Sequence, residues 1–157
     1  MAGARYYTLE DWRCCRIMPV ENLARSDVVT ASKDESIENL ASMMDDHSVG
    51  SVVIADDDEP VGIVTDRDLT IEVVAAGKSA DSVTAADVMS SDLCTIESDE
   101  GFYRATELMS EHGIRRLPVV DTSGQLEGII TVDDLNELLA DEHQQLASVV
   151  QAQRPPY

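Results

Sequence analysis

The stretch Gly62-Ile63-Val64-Thr65-Asp66-Arg67-Asp68-Leu69 recurs as Gly128-Ile129-Ile130-Thr131-Val132-Asp133-Asp134-Leu135. Each copy reads glycine, two β-branched apolar residues, threonine, two variable residues, aspartate and leucine. Paired β-branched residues before the threonine favour the end of a buried strand. A helical pattern follows each leucine, so Thr65 and Thr131 stand as N-caps, with Asp68 and Asp134 three residues on. A strand that feeds a helix N-terminus presents free N–H groups and the positive end of a helix dipole, which suits an anion such as phosphate. A carboxylate beside it can accept from two neighbouring hydroxyls, as a ribose offers. The same Thr-x-x-Asp is also close to a capping box, which satisfies helix N–H groups and binds nothing. The residues leave both readings open.

The duplication extends well beyond these eight residues. Asp27-Val28-Val29-Thr30 aligns with Asp92-Leu93-Cys94-Thr95 as short β-rich runs. Ile37, Leu40, Ala41, Met43 and Met44 give helical spacing, which Phe102, Ala105, Thr106, Leu108 and Met109 repeat. The methionines read as core filler. Apolar strands follow at Val52-Val53-Ile54 and Leu117-Pro118-Val119-Val120, then turns at 56–60 and 121–125. Each unit therefore reads strand, helix, strand, hairpin turn, strand, helix. Two such units pack together, because each alone leaves an apolar face uncovered.

Residues 1–17 match nothing later and read as an arm in which Tyr6, Tyr7, Leu9 and Trp12 pack on the body. The first repeat is expected over 18–80 and the second over 81–141. Thr84–Met89 is expected to make a short helical turn entering the second repeat. Its weaker counterpart is Val20-Glu21-Asn22-Leu23. After Asp134 the pattern continues through Leu135, Leu138, Leu139, Leu146, Val149 and Val150 along one helix side. That extension and its tail span 142–157, with a disordered end at Arg154-Pro155-Pro156-Tyr157.

With 31 acidic and 11 basic residues the formal net charge is −20. Such a surface repels nucleic acid, so no nucleic acid partner is expected. It suits a high-salt cytoplasm equally as well as a merely acidic mesophilic protein. Cys14, Cys15 and Cys94 form neither a disulfide framework nor a zinc site. His47, His112 and His143 lie far apart, and no metal site is expected. There is no signal-peptide core and no long apolar run, so a cytoplasmic protein without membrane contact is expected. No nucleophile–base spacing or Walker-type loop occurs, and the chain is not expected to be an enzyme.

The three pieces Gly62–Leu69, Arg115-Arg116-Leu117-Pro118-Val119-Val120-Asp121 and Gly128–Leu135 resemble the cystathionine-β-synthase (CBS) domain family. The resemblance covers about 18–141 as a tandem pair, similar to small stand-alone CBS-pair proteins. It implies an α/β (α+β) fold of two β-α-β-β-α repeats packed with pseudo-twofold symmetry, commonly paired into a dimeric disc. It also implies clefts that bind an adenosine-containing regulatory ligand, AMP, ADP, ATP or S-adenosylmethionine, with no cofactor required. On that likeness Asp68 and Asp134 hold ribose hydroxyls, with Thr65 and Thr131 nearby. Adenine would lie around Val29-Thr30 and Cys94-Thr95. Arg115 and Arg116 would meet phosphates, with Pro118 beside them. Repeat one departs from the pattern, with Gly50 and Ser51 in place of the arginines and Val53 in place of Pro118. The Asp68 cleft is thus expected to face Arg115 and Arg116, with Arg67 adding charge if it turns inward. The Asp134 cleft is expected to face uncharged Gly50 and Ser51.

The expected function is ligand sensing read out by an unknown effector protein, as a homodimer built on the C-terminal helices. The alternative is a structural or dimerisation module whose Thr-x-x-Asp motifs only cap helices.

Overall fold

The computed structural model describes residues 18–153. The expected arm at 1–17 and the tail at 154–157 lie outside the described residues.

Two three-stranded sheets form the centre, and each comes from one repeat. In the first, β1 (Thr30–Ala31) runs parallel to β2 (Ser51–Asp56), which pairs antiparallel with β3 (Glu59–Thr65). In the second, β4 (Ile96–Glu97), β5 (Arg116–Val120) and β6 (Leu126–Thr131) repeat that order and sense. Helix α1 (Ile37–Asp46) covers the first sheet from between β1 and β2, capped by Ser36, whose side chain accepts from Asn39 N–H. Further helices are α2 (Asp66–Asp68), α3 (Ala85–Val88), α4 (Phe102–His112) and α5 (Val132–Ala152).

The β2–β3 hairpin closes through Asp57 and Asp58, with φ of 50° and 68°. Positive φ at both residues of a two-residue loop is the turn whose twist matches the strands. Asp58 also offers its carbonyl to Leu126 N–H at 2.9 Å, which stitches the first hairpin to the second.

The apolar spacing of α1 and α4 places Ile37, Leu40 and Met44 in one core and Ala105, Leu108 and Met109 in the other. Packing does not follow the division of the sequence at 80, however. Val20, in a short 3-10 turn (Val20–Asn22), is buried in the core of repeat two. Val83, Ala85 and Val88, which lead into repeat two, are buried in the core of repeat one. Backbone bonds tie each exchanged segment down in the same way. Val20 N–H donates to Glu100 O and Glu21 N–H to Ser98 O, while Ala85 N–H donates to Glu35 O and Ala86 N–H to Lys33 O. Burying a valine side chain contributes about 1.5–3 kcal/mol, and together with these backbone bonds it keeps each leading segment on the opposite sheet. The short helix at 84–89 therefore exists as expected but serves the other repeat.

The helices after the two Gly-x-x-Thr strands differ. α5 is a regular helix of 21 residues, whereas α2 continues as a π-helix (Leu69–Ala75). Thr70, Ile71, Val73 and Val74 are β-branched, so their helix propensity is low. The Thr70 hydroxyl also donates to Asp66 O at 2.9 Å, where it competes with the α-helical ladder.

Along α5, Leu135 is buried and Leu138 half-buried, but Leu139, Leu146, Val149 and Val150 are exposed. No described helix is long and apolar enough to cross a membrane.

Candidate functional site

Both Thr-x-x-Asp motifs lie where a strand turns into a helix, and both form complete capping boxes. Thr65 donates from its N–H and its hydroxyl to Asp68 Oδ2, at 2.9 and 2.7 Å, and Asp68 N–H donates back to Thr65 Oγ1 at 3.3 Å. Thr131 and Asp134 repeat this at 2.9, 2.6 and 3.2 Å. In each box the carboxylate is held rigidly through one oxygen. The other oxygen, Oδ1, is the one left to meet something else.

The two Oδ1 atoms differ. Arg25 donates from Nε and Nη2 to Asp134 Oδ1, at 3.0 and 2.8 Å. Among the described residues, none donates to Asp68 Oδ1. Burial of Asp134 pushes its carboxyl up, but hydrogen bonds from Thr131 and Arg25 outweigh this and hold it below the usual carboxylate range. Arg25 is raised in turn, first by its hydrogen bond to Asp134. With one partner largely exposed, such a pair adds only about 0–1 kcal/mol to stability. Its consequence is occupancy of the carboxylate rather than strength.

Arg116 connects the two junctions. Its backbone pairs with Thr131 across β5 and β6. Its guanidinium crosses to repeat one, where a Cβ built on Gly50 would lie 2.9 Å from Nη2, with Asp66 Oδ2 at 3.6 Å from the same point. Gly50 adjoins Ser51, which pairs with Thr65, and Gly50 O accepts from Asp66 N–H. A cation from repeat two thus stands at the Thr65–Asp68 junction because repeat one has no side chain at position 50.

The remaining expected residues scatter. Arg115 is exposed and turns to Asp133 of its own repeat at 3.6 Å, because that carboxylate lies beside it. Arg67 is exposed. Val29 is half-buried against the first core, and Thr30 is exposed in β1. Cys94 is half-buried against the second core, where burial pushes its thiol up. Pro118 is wholly buried in β5. Thr95 lines a concavity of about 430 Å³ with Glu97, Glu100, Arg104, Asp121 and Ser123. That concavity lies at the Val120–Leu126 end of the second sheet, opposite the Arg116–Thr131 end that carries Asp134.

Arg25 was not among the residues expected at either cleft, and it puts a cation at Asp134 where none was expected. The signal lay in the repeat alignment. Arg25 matches Ser90 at the same offset that matches Val29 to Cys94, and only one of the two can reach a carboxylate.

A model of the CBS domain matches residues 20–75 and again 85–141. This chain belongs to the CBS domain family. An uncharacterised protein of Methanopyrus kandleri is 47% identical over 121 residues, covering 76% of this chain and 62% of that protein. The CBS domain pair of protein MJ0100, solved in complex with 5′-methylthioadenosine and S-adenosyl-L-methionine, superposes with a TM-score of 0.73 at 27% identity, covering 80% of this chain and 98% of that one. The CBS domain protein PAE2072 of Pyrobaculum aerophilum, complexed with AMP, gives 0.69 at 25% identity over 74% of this chain and 89% of that one. The tandem pair and its mixed α/β architecture are thus shared with solved CBS-pair proteins.

Proposed function

We propose that this CBS pair is a regulatory module that senses an adenosine-containing ligand in the cleft between its repeats. The observation that carries the reading is the Asp68 junction. A rigid carboxylate there keeps one oxygen free of described donors, and the Arg116 guanidinium stands nearby. A ribose needs the first, and a phosphate favours the second, since arginine meets it with paired hydrogen bonds. The complexes of MJ0100 and PAE2072 with adenosine compounds support the same ligand class. Bound ligand would favour one mutual arrangement of the repeats, and an effector protein would read the change. The exposed end of α5 is assigned to a second copy of the chain in a cytoplasmic homodimer.

One observation favours a second reading, a structural module that binds no nucleotide. Thr84 and Asp87 form the same pattern, with Thr84 N–H and hydroxyl both donating to Asp87 Oδ2 at 3.0 Å. That motif lies at neither strand-to-helix junction, so capping alone accounts for it. A melting-shift panel of AMP, ADP, ATP, S-adenosylmethionine and 5′-methylthioadenosine separates the two readings. The sensing reading requires a concentration-dependent rise with at least one compound, and no rise with any of them favours the structural module.

A further inference from the structure

The leading segments of the two repeats occupy matching places. Arg25 pairs with Ile129 on β6 through N–H···O bonds of 2.9 and 3.0 Å, and Ser90 pairs with Ile63 on β3 through bonds of 3.0 and 3.4 Å. Each therefore runs along the strand that leads into its capping box. The long arginine side chain reaches Asp134 from there, while the short serine leaves Asp68 Oδ1 alone. A carboxylate offers about four acceptor positions. Asp134 already accepts four hydrogen bonds, two from Thr131 and two from Arg25. Asp68 accepts two.

We infer that Arg25 is a latch on the Asp134 cleft: its guanidinium occupies the carboxylate oxygen that a ribose diol needs, so the Asp68 cleft alone is open to ligand. This inference rests on the adenosine-sensing reading. The latch belongs to the segment that also carries Val20 into the repeat-two core, so its backbone is fixed and only its side chain is free to swing. Its side chain is 62% exposed, which leaves it room to leave. A ligand at Asp134 must first displace two charge-assisted bonds, whereas a ligand at Asp68 Oδ1 displaces no hydrogen bond from a described residue.

The test is calorimetric titration with 5′-methylthioadenosine, which carries the ribose hydroxyls and no phosphate, into the full chain and its Arg25→Ser, Asp68→Ala and Arg25→Ser/Asp68→Ala variants. Arg25→Ser copies the residue found at position 90, and circular dichroism confirms that each variant is folded. The wild type should bind one equivalent per chain and Arg25→Ser two. Asp68→Ala should bind at least about tenfold more weakly than the wild type, and the double variant should regain one tight equivalent. Two equivalents in the wild type overturn the latch while leaving adenosine sensing intact. So does a single, weaker site in Arg25→Ser, which would make Arg25 a ligand contact. No heat with any variant overturns the latch, and the sensing reading falls with it only if AMP, ADP, ATP and S-adenosylmethionine give no heat either. Independently of ligand, the Asp134 carboxyl resonance should titrate at higher pH in Arg25→Ser than in the wild type, and an unchanged titration counts against the latch.

Discussion

The Arg116 guanidinium occupies the space that a side chain at Gly50 would fill, 2.9 Å from the position of a Cβ. The obstructing atom is the far end of a flexible side chain, so Gly50→Ala should cost little stability, within about 0.5 kcal/mol. It should instead push Arg116 away from the Asp68 junction. We expect AMP affinity to fall severalfold while 5′-methylthioadenosine affinity stays the same, measured by calorimetry beside a thermal melt.

Gly128 offers the contrast. A Cβ there would meet Arg25 O at 2.9 Å and Ala24 Cβ at 3.1 Å, and that backbone is fixed by its bonds to Ile129. Gly128→Ala should destabilise the fold by about 1–3 kcal/mol. Chemical denaturation should show a lower midpoint for Gly128→Ala than for Gly50→Ala.

The strand, hairpin and helix order of both repeats was legible because apolar periodicity and the doubled Gly-x-x-Thr-x-x-Asp pattern specify it locally. The capping geometry of Thr65–Asp68 and Thr131–Asp134 was legible for the same reason. The exchange of leading segments was not, because Val20 and Val83 look alike to a local pattern whichever sheet receives them. Only long-range bonds such as Val20 N–H to Glu100 O decide the matter. The Arg25–Asp134 pair spans 109 residues and depends on that exchange, so it was hidden with it. The π-winding after Asp68 reflects competition for one carbonyl, which spacing does not encode.

Acid should expose the Asp134 interaction. Its carboxyl lies below the usual range when folded, so its contribution is present above the unfolded pKa of about 3.9 and is lost as pH falls through the lower folded value. Denaturation midpoints measured between about pH 5 and pH 2 should fall less steeply for Arg25→Ser than for the wild type. Parallel curves would show that Arg25 does not set the shift.

The exposed row Leu146, Val149 and Val150 on α5 should be covered by a second chain. Light scattering should report a dimer for the wild type and a monomer for Leu146→Glu/Val150→Glu, because buried carboxylates without partners are strongly disfavoured.

A surface of net charge −20 repels itself, and salt screens that repulsion. The melting temperature should rise from low to molar potassium chloride, and a flat or falling curve would rule out adaptation to high salt.

Binding of an adenosine ligand at Asp68 is measured by titrating AMP into the wild type, Asp68→Ala and Asp134→Ala at one fixed salt concentration. A lost hydrogen bond to a charged group costs about 1.5–3 kcal/mol, or roughly tenfold to a hundredfold in affinity. Asp68→Ala should lose affinity by that factor, and Asp134→Ala should bind nearly as the wild type does. Equal losses in both variants, or a loss confined to Asp134→Ala, would rule out Asp68 as the ribose-binding carboxylate.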